Sequence, residues 1–116
     1  MKESVSGCPV EDAMRLLGGR WRIVLVYHLL EGKRRFNELR RAMPGISQRM
    51  LTLDLRALEK AGLVRRTIYP EVPPRVEYDL TAEGKCLREL VDLLGEVGAR
   101  LANLQQCAPV RKKDAA

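Results

Sequence analysis

The feature that most constrains the fold is a pair of short helical patterns separated by a tight turn. The first lies in RRFNELRRAMPG, where apolar residues recur at helical spacing until Pro44 and Gly45 end the pattern. The second begins at Ser47, a good N-cap residue, and its leucine stripe runs to Ala61, before Gly62. Such closely spaced helices are typical of a helix-turn-helix.

The period of the pattern changes directly after the second helix. Residues 63–69 and 76–80 are rich in β-branched and aromatic residues, and prolines lie between the two segments. We predict a two-stranded hairpin with a stiff, basic loop. A helix-turn-helix followed by such a wing can place its second helix in the major groove of DNA, with the wing along the neighbouring backbone or minor groove.

Three further helices are expected around this unit. Pro9 suits the start of a first helix that ends at Gly18, and residues 21–30 are apolar nearly all round, which indicates a helix in the middle of the core. Thr81 can cap a long last helix with an apolar stripe of more than five turns. A small domain cannot cover a stripe of that length alone, so we expect a second subunit to cover it. The stripe consists of Leu87, Leu90, Val91, Leu94, Val97, Leu101 and Leu104.

Positive charge is concentrated in the middle of the chain. The net charge is +6, from 21 basic and 15 acidic residues. Between Lys33 and Arg75 there are 11 Lys or Arg and 4 Asp or Glu, an excess of +7, whereas the rest of the chain has a net charge of −1. This segregation indicates a surface that attracts phosphates, although a solvated basic face is the simpler alternative.

Several classes of protein are not indicated by the sequence. The 116 residues fit one domain, and the longest apolar run is too short for a membrane span. The N-terminal residues contain no apolar run of the kind found in a secretory signal, so we expect a cytoplasmic protein. Three cysteines without CxxC spacing and a single histidine indicate neither a disulfide framework nor a metal site. His28 is expected in the core rather than as a catalytic base. We therefore predict no cofactor, no metal and no enzyme activity.

The second helix of the pair is the candidate DNA reader. Because Leu51, Leu55 and Leu58 form its apolar stripe, other side chains project outward, and their types suit hydrogen bonds to base edges or contact with a thymine methyl group. They are Gln48, Arg49, Thr52, Leu53 and Arg56. Three alternatives stay open: Leu53 could contact another helix, Arg56 could pair with Glu59, and Gln48 could bind the DNA backbone.

At these residues the sequence closely resembles the HxlR-type winged helix-turn-helix regulators, relatives of the MarR regulators. The resemblance covers about residues 8–105 and rests on FNELRR, on GIS followed by the LT and LR-LE elements, and on YPEVPPRVEY. It implies a bacterial or archaeal homodimer that binds a two-fold operator, with an interface from the first and last helices. The expected fold is mainly α with a small β-hairpin. It is a winged helix-turn-helix with N- and C-terminal dimerisation helices. Residues 106–116 are expected to form a flexible C-terminal tail.

The resemblance also implies roles for individual residues. The recognition helix corresponds to residues 47–60 and the wing to residues 69–75. Ser47 is expected to cap the helix, and its hydroxyl or the first free N–H groups could also hold a phosphate. Of Arg65 and Arg66, on adjacent strand positions, at most one is expected to face DNA. Backbone contacts are expected from Arg34, Arg35, Arg40, Arg41 and the wing residue Arg75.

Cys8 matches the cysteine that several members of this family use to respond to oxidants or electrophiles. The positive end of the helix dipole favours a thiolate there, whereas Glu11 and Asp12 oppose it. A dimer could bring Cys107 near Cys8, while Cys86 is expected only to fill space in the core or on the surface. Sensing by Cys8 and an inert thiol both remain open, and the inducer is unknown.

A second hypothesis is a winged-helix protein-interaction module without a specific operator. In that case the basic face would meet an acidic protein instead of DNA. Failure to retain DNA at moderate salt, with a protein partner recovered, would favour this alternative.

Overall fold

The computed structural model describes the backbone of residues 7–107 and the side chains of residues 7–104. Six helices and three short strands follow one another along this part of the chain. Their order is α1 (Pro9–Leu17), α2 (Arg22–Leu29), β1 (Arg34–Arg35), α3 (Phe36–Ala42), α4 (Gln48–Lys60), β2 (Val64–Tyr69), β3 (Arg75–Leu80), α5 (Ala82–Lys85) and α6 (Arg88–Cys107). The sequence-based helix boundaries of α1 to α4 agree closely with these.

The wing belongs to a three-stranded antiparallel sheet rather than to a two-stranded hairpin. β3 is central, pairing with β2 from Val64↔Leu80 to Tyr69↔Arg75 and with β1 on its other side. β1 is only two arginines long and carries no strand pattern, so no sequence signal indicated it. Its strand conformation depends on pairing with β3, a contact distant in sequence.

The core lies between α2, the helix pair and the sheet. Leu25, Val26 and Leu29 of α2 are buried there, as the apolar composition of this segment predicts. Leu39 of α3, Met43 directly after α3 and the leucine stripe of α4 are also buried in this core. No helix within residues 7–107 combines the length and the apolar character that crossing a membrane requires.

The long last helix predicted from Thr81 is two helices. Thr81 Oγ1 accepts a hydrogen bond from the Gly84 N–H and thus caps α5, which ends at Lys85, and α6 begins at Arg88. Between them, the N–H groups of Cys86 and Leu87 bond to carbonyls three residues back, which tightens the turn. Gly84, buried against the Leu63 carbonyl, is also a poor helix former.

The apolar stripe of α6 is largely uncovered. Val91 is buried, but the other large apolar side chains from Leu90 to Leu104 are between 38% and 58% exposed. α6 extends through Cys107, and residues 108–116 of the predicted tail lie outside the described residues.

Gly45 lies in the turn between α3 and α4 and has a positive φ angle. Its φ of +97° disfavours residues with a Cβ, while a Cβ there would meet only the Trp21 ring at an ordinary distance of 3.8 Å. We expect Gly45→Ala to lower the free energy of unfolding by about 1 to 2 kcal/mol, measured by urea denaturation. Gly45→Asn should lose less, because asparagine tolerates positive φ better; equal losses would contradict this account.

Candidate nucleic-acid interface

α4 is fixed at its start and along one side. The Ser47 side chain accepts a hydrogen bond from the Met50 N–H at 3.0 Å, so Ser47 is the N-cap, as predicted. Leu51, Leu55 and Leu58 are at most 2% exposed. The cap and the buried leucines therefore fix which side of α4 faces the solvent, namely the side opposite the leucine stripe.

That opposite face brings together all five candidate reading residues. They line one shallow surface depression, formed by Gln48, Arg49, Thr52, Leu53 and Arg56. Leu53 is 47% exposed, so it is available to an external partner. No salt bridge joins Arg49 or Arg56 to any side chain in the described part of the chain. Both guanidinium groups can therefore bind a partner without first breaking an ion pair.

Thr52 has a narrower hydrogen-bonding role than its residue type suggests. Its Oγ1 donates to the Gln48 carbonyl oxygen one turn earlier, at 3.0 Å. The single hydroxyl hydrogen is thus used inside the helix, while the oxygen lone pairs can still accept. Toward an external partner, Thr52 can therefore act only as a hydrogen-bond acceptor.

The inner side of α4 holds a charged residue that the sequence analysis missed. Asp54 is 7% exposed, and its Oδ1 accepts a hydrogen bond from Arg22 Nε at 3.1 Å. Arg22 Nη1 also donates to the Leu16 carbonyl at 2.8 Å. One arginine thus ties the recognition helix to the beginning of α2 and the end of α1. The one sequence signal for this hydrogen-bonded link is that Asp54 lies at helical spacing from the buried leucines of α4.

The basic residues expected to contact the DNA backbone lie in different surroundings. Arg35, Arg41 and Arg75 line one open groove of about 580 Å³ between α3 and the sheet. Arg40 and Arg41 line a second, shallower depression with Asn37. Arg34 is different, because its guanidinium pairs with Glu31 at 2.9 Å.

The wing is built around Arg75. Its guanidinium stacks 4.0 Å from the Tyr69 ring centroid and pairs with Glu71 at 3.1 Å and Glu77 at 3.8 Å. These contacts connect the two ends of the loop, and the two glutamates partly neutralise the positive charge of Arg75. Val72 is fully exposed at the end of the wing.

Arg65 and Arg66 lie on opposite faces of β2, as their adjacent positions predict. Arg65 forms two hydrogen bonds with Asp79 of β3, at 3.2 and 2.6 Å, and this bonding raises the pKa of Arg65 above its ordinary value. Arg66 instead faces α4, where its Nε lies 3.7 Å from Glu59 Oε1. Arg66 is therefore the member of the pair on the side of the recognition helix.

A small polar pocket of about 130 Å³ lies between α4 and the sheet. Its charged and polar side chains include Arg56, Glu59, Arg66 and Tyr78. Burial raises the pKa of Tyr78, with opposing effects from Arg66 and Arg56 and a reinforcing one from Glu59. The phenol is thus neutral at physiological pH, which leaves two guanidinium groups and one carboxylate at this pocket.

The two described cysteines are exposed, whereas the histidine is half-buried. Cys8 is exposed at the N-cap position of α1, and Cys86 is exposed between α5 and α6. The Cys107 side chain lies outside the described residues. His28 is half-buried with its ring against Tyr27, in keeping with the predicted core position. No group of His, Cys, Asp and Glu within the described residues is arranged to hold a metal ion.

A capped, exposed reading helix preceded by a short basic helix and followed by a wing defines a winged helix-turn-helix protein. Residues 16–106 match the family model described as HxlR-like helix-turn-helix, and the chain belongs to this family. It is therefore a helix-turn-helix transcriptional regulator, not an enzyme. The predicted fold class is confirmed in its winged helix-turn-helix part.

Similar proteins agree with this assignment. The HTH-type transcriptional regulator YybR of Bacillus subtilis (strain 168) is 52% identical over 92 residues, which cover 79% of this chain and 74% of YybR. YdeP of the same strain is 49% identical over 89 residues, covering 77% and 70%. Among solved structures, the redox regulator HypR in its reduced form is 46% identical, with a TM-score of 0.81, and covers 86% of this chain and 99% of HypR.

Proposed function

We propose that the chain acts as a homodimer on a two-fold DNA operator, with α4 in the major groove. The observation that carries the proposal is the outward face of α4, where five side chains suited to base edges share one exposed surface above a buried leucine stripe. Arg49, Arg56 and Gln48 can pair with purine edges, and Leu53 can contact a thymine methyl group. As a chromosomal regulator it would work in the cytoplasm.

The arginines proposed to contact the DNA backbone differ in whether they must first give up a glutamate partner. Arg35, Arg40 and Arg41 line open surfaces and carry no salt bridge within residues 7–104, so they can bind phosphates directly. Arg34 and Arg75 would first exchange their glutamate partners for a phosphate. Next to Ser47, the free backbone N–H groups at the start of α4 can also bind a phosphate.

The dimer interface is proposed on the exposed apolar residues of α1 and α6. Val10 and Met14 of α1 are 72% and 56% exposed, and the stripe of α6 lies open from Leu90 to Leu104. Exposed apolar surface of this length is unusual in a monomer. A two-fold dimer would also present two copies of α4 to two half-sites.

The base-reading role is tested by comparing two arginine variants. On a duplex selected by the wild-type protein, Arg56→Ala should cost about 1 to 3 kcal/mol of binding free energy and relax specificity at one base position. Arg40→Ala should weaken specific and non-specific DNA alike and lower the slope of log K against log salt by about 1. Equal loss on both DNAs for Arg56→Ala would argue against base reading.

We also propose that Cys8 makes the regulator responsive to oxidants. Support comes from its exposure at the start of α1 and from the similarity to HypR, a redox regulator. Hydrogen peroxide would oxidise Cys8 and Cys107 of two subunits to a disulfide, taking two electrons and two protons and becoming two waters. Non-reducing gels should show a linked dimer that Cys8→Ser abolishes. A monomer band only, with an unchanged oxidant response of Cys8→Ser, would exclude this role.

A further inference from the structure

The small polar pocket between α4 and the sheet is lined by one carboxylate and two guanidinium groups. The two guanidinium groups can compete for that carboxylate. Glu59 lies three residues after Arg56 on the same helix, a spacing at which side chains are neighbours. Arg66 reaches the same carboxylate from β2. Neutral Tyr78, opposite Arg66 in the strand register, adds no charge. Whichever arginine holds Glu59 leaves the other without an acidic partner there.

In the structure, Glu59 is paired with Arg66. Arg66 Nε lies 3.7 Å from Glu59 Oε1, while Arg56 carries no salt bridge within residues 7–104. Arg56 lines both the pocket and the outward depression of α4, so it lies at the boundary between them. An Arg56 held by Glu59 would be drawn toward the pocket and away from the outward face.

We propose that Arg66 is a positioning residue of the recognition helix: by holding the Glu59 carboxylate, it keeps the Arg56 guanidinium available to DNA. This inference rests on the proposed function, in which Arg56 reads a base. It assigns to a strand residue a share in DNA specificity that does not require contact with DNA. The pair is half-exposed, so its effect is modest and depends on salt.

The test measures the ratio of the Kd for a scrambled duplex to the Kd for the duplex selected by the wild-type protein. We expect Arg66→Ala to lower this ratio about two- to fivefold, the range of an exposed ion pair. The loss should fall at the base position that Arg56→Ala relaxes. Arg66→Lys, which keeps a cation for Glu59, should restore most of the ratio. Thermal melts establish that each variant is folded.

Two further variants separate positioning from loss of charge. In the Arg66→Ala background, Glu59→Gln should restore the ratio, because it removes the carboxylate that would hold Arg56. Arg65→Ala is the matched control: it removes the same charge from the neighbouring position of β2, whose partner is Asp79. We expect it to leave the ratio unchanged.

Each contrary outcome has a distinct meaning. If Arg66→Ala weakens both duplexes alike, lowers the salt slope by about 1 and is not corrected by Glu59→Gln, Arg66 is a phosphate contact and the inference is overturned. If Arg56→Ala itself leaves the ratio unchanged, the base-reading role of Arg56 fails, and the role of Arg66 fails with it.

Discussion

A Val97→Glu, Leu101→Glu double variant is expected to be monomeric and to lose operator affinity by about 100-fold or more. Both side chains belong to the exposed apolar stripe of α6, and burying two carboxylates in an apolar interface is strongly unfavourable. A monomer can occupy only one half-site, so the gain from linked binding disappears. Sedimentation and DNA titration at the same protein concentration measure both effects.

The control for this variant adds the same charges to the other side of α6. Ala99→Glu with Asn103→Glu lies roughly opposite the stripe, on exposed positions. It should remain dimeric and bind the operator, apart from a uniform loss caused by added negative charge. A Val97→Glu, Leu101→Glu protein that sediments as a dimer would refute the proposed interface.

The second large effect is expected at Asp54. Replacing it with alanine should lower the free energy of unfolding by about 2 to 3 kcal/mol, because Arg22 would keep its charge in a partly buried site without the carboxylate. Asp54→Asn should cost less, since the amide oxygen can still accept from Arg22 Nε. Urea denaturation at fixed protein concentration measures these losses.

Asp79→Ala provides a comparison with a more exposed ion pair. Its partner Arg65 is mostly exposed, so the expected loss is clearly smaller than that of Asp54→Ala. Equal losses for Asp54→Ala and Asp79→Ala would mean that the link between Arg22, α1 and α4 contributes nothing special to stability.

The sequence predicted those parts of the site that depend on local pattern. Leu51, Leu55 and Leu58 repeat at helical spacing, and this spacing alone determines which side chains of α4 point outward. The turn at Gly45 and the cap at Ser47 are likewise local signals. The family resemblance added the expected roles in DNA binding.

The features that the sequence did not predict depend on distant partners. β1 is a strand because β3 lies beside it, and Asp54 pairs with Arg22, 32 residues earlier in the chain. The pairing of Glu59 with Arg66 rather than with Arg56 required the position of β2 against α4. Helical spacing leaves that choice open, because it describes only neighbours on the same helix.

Selection of genomic DNA fragments by the wild-type protein tests the central claim most directly. The account predicts an inverted repeat whose half-sites are centred about one helical turn apart, or a multiple of it, with one base position of each half-site relaxed in Arg56→Ala. Absence of enrichment, or a consensus without two-fold symmetry, would contradict the proposal that a dimer reads DNA through the outward face of α4.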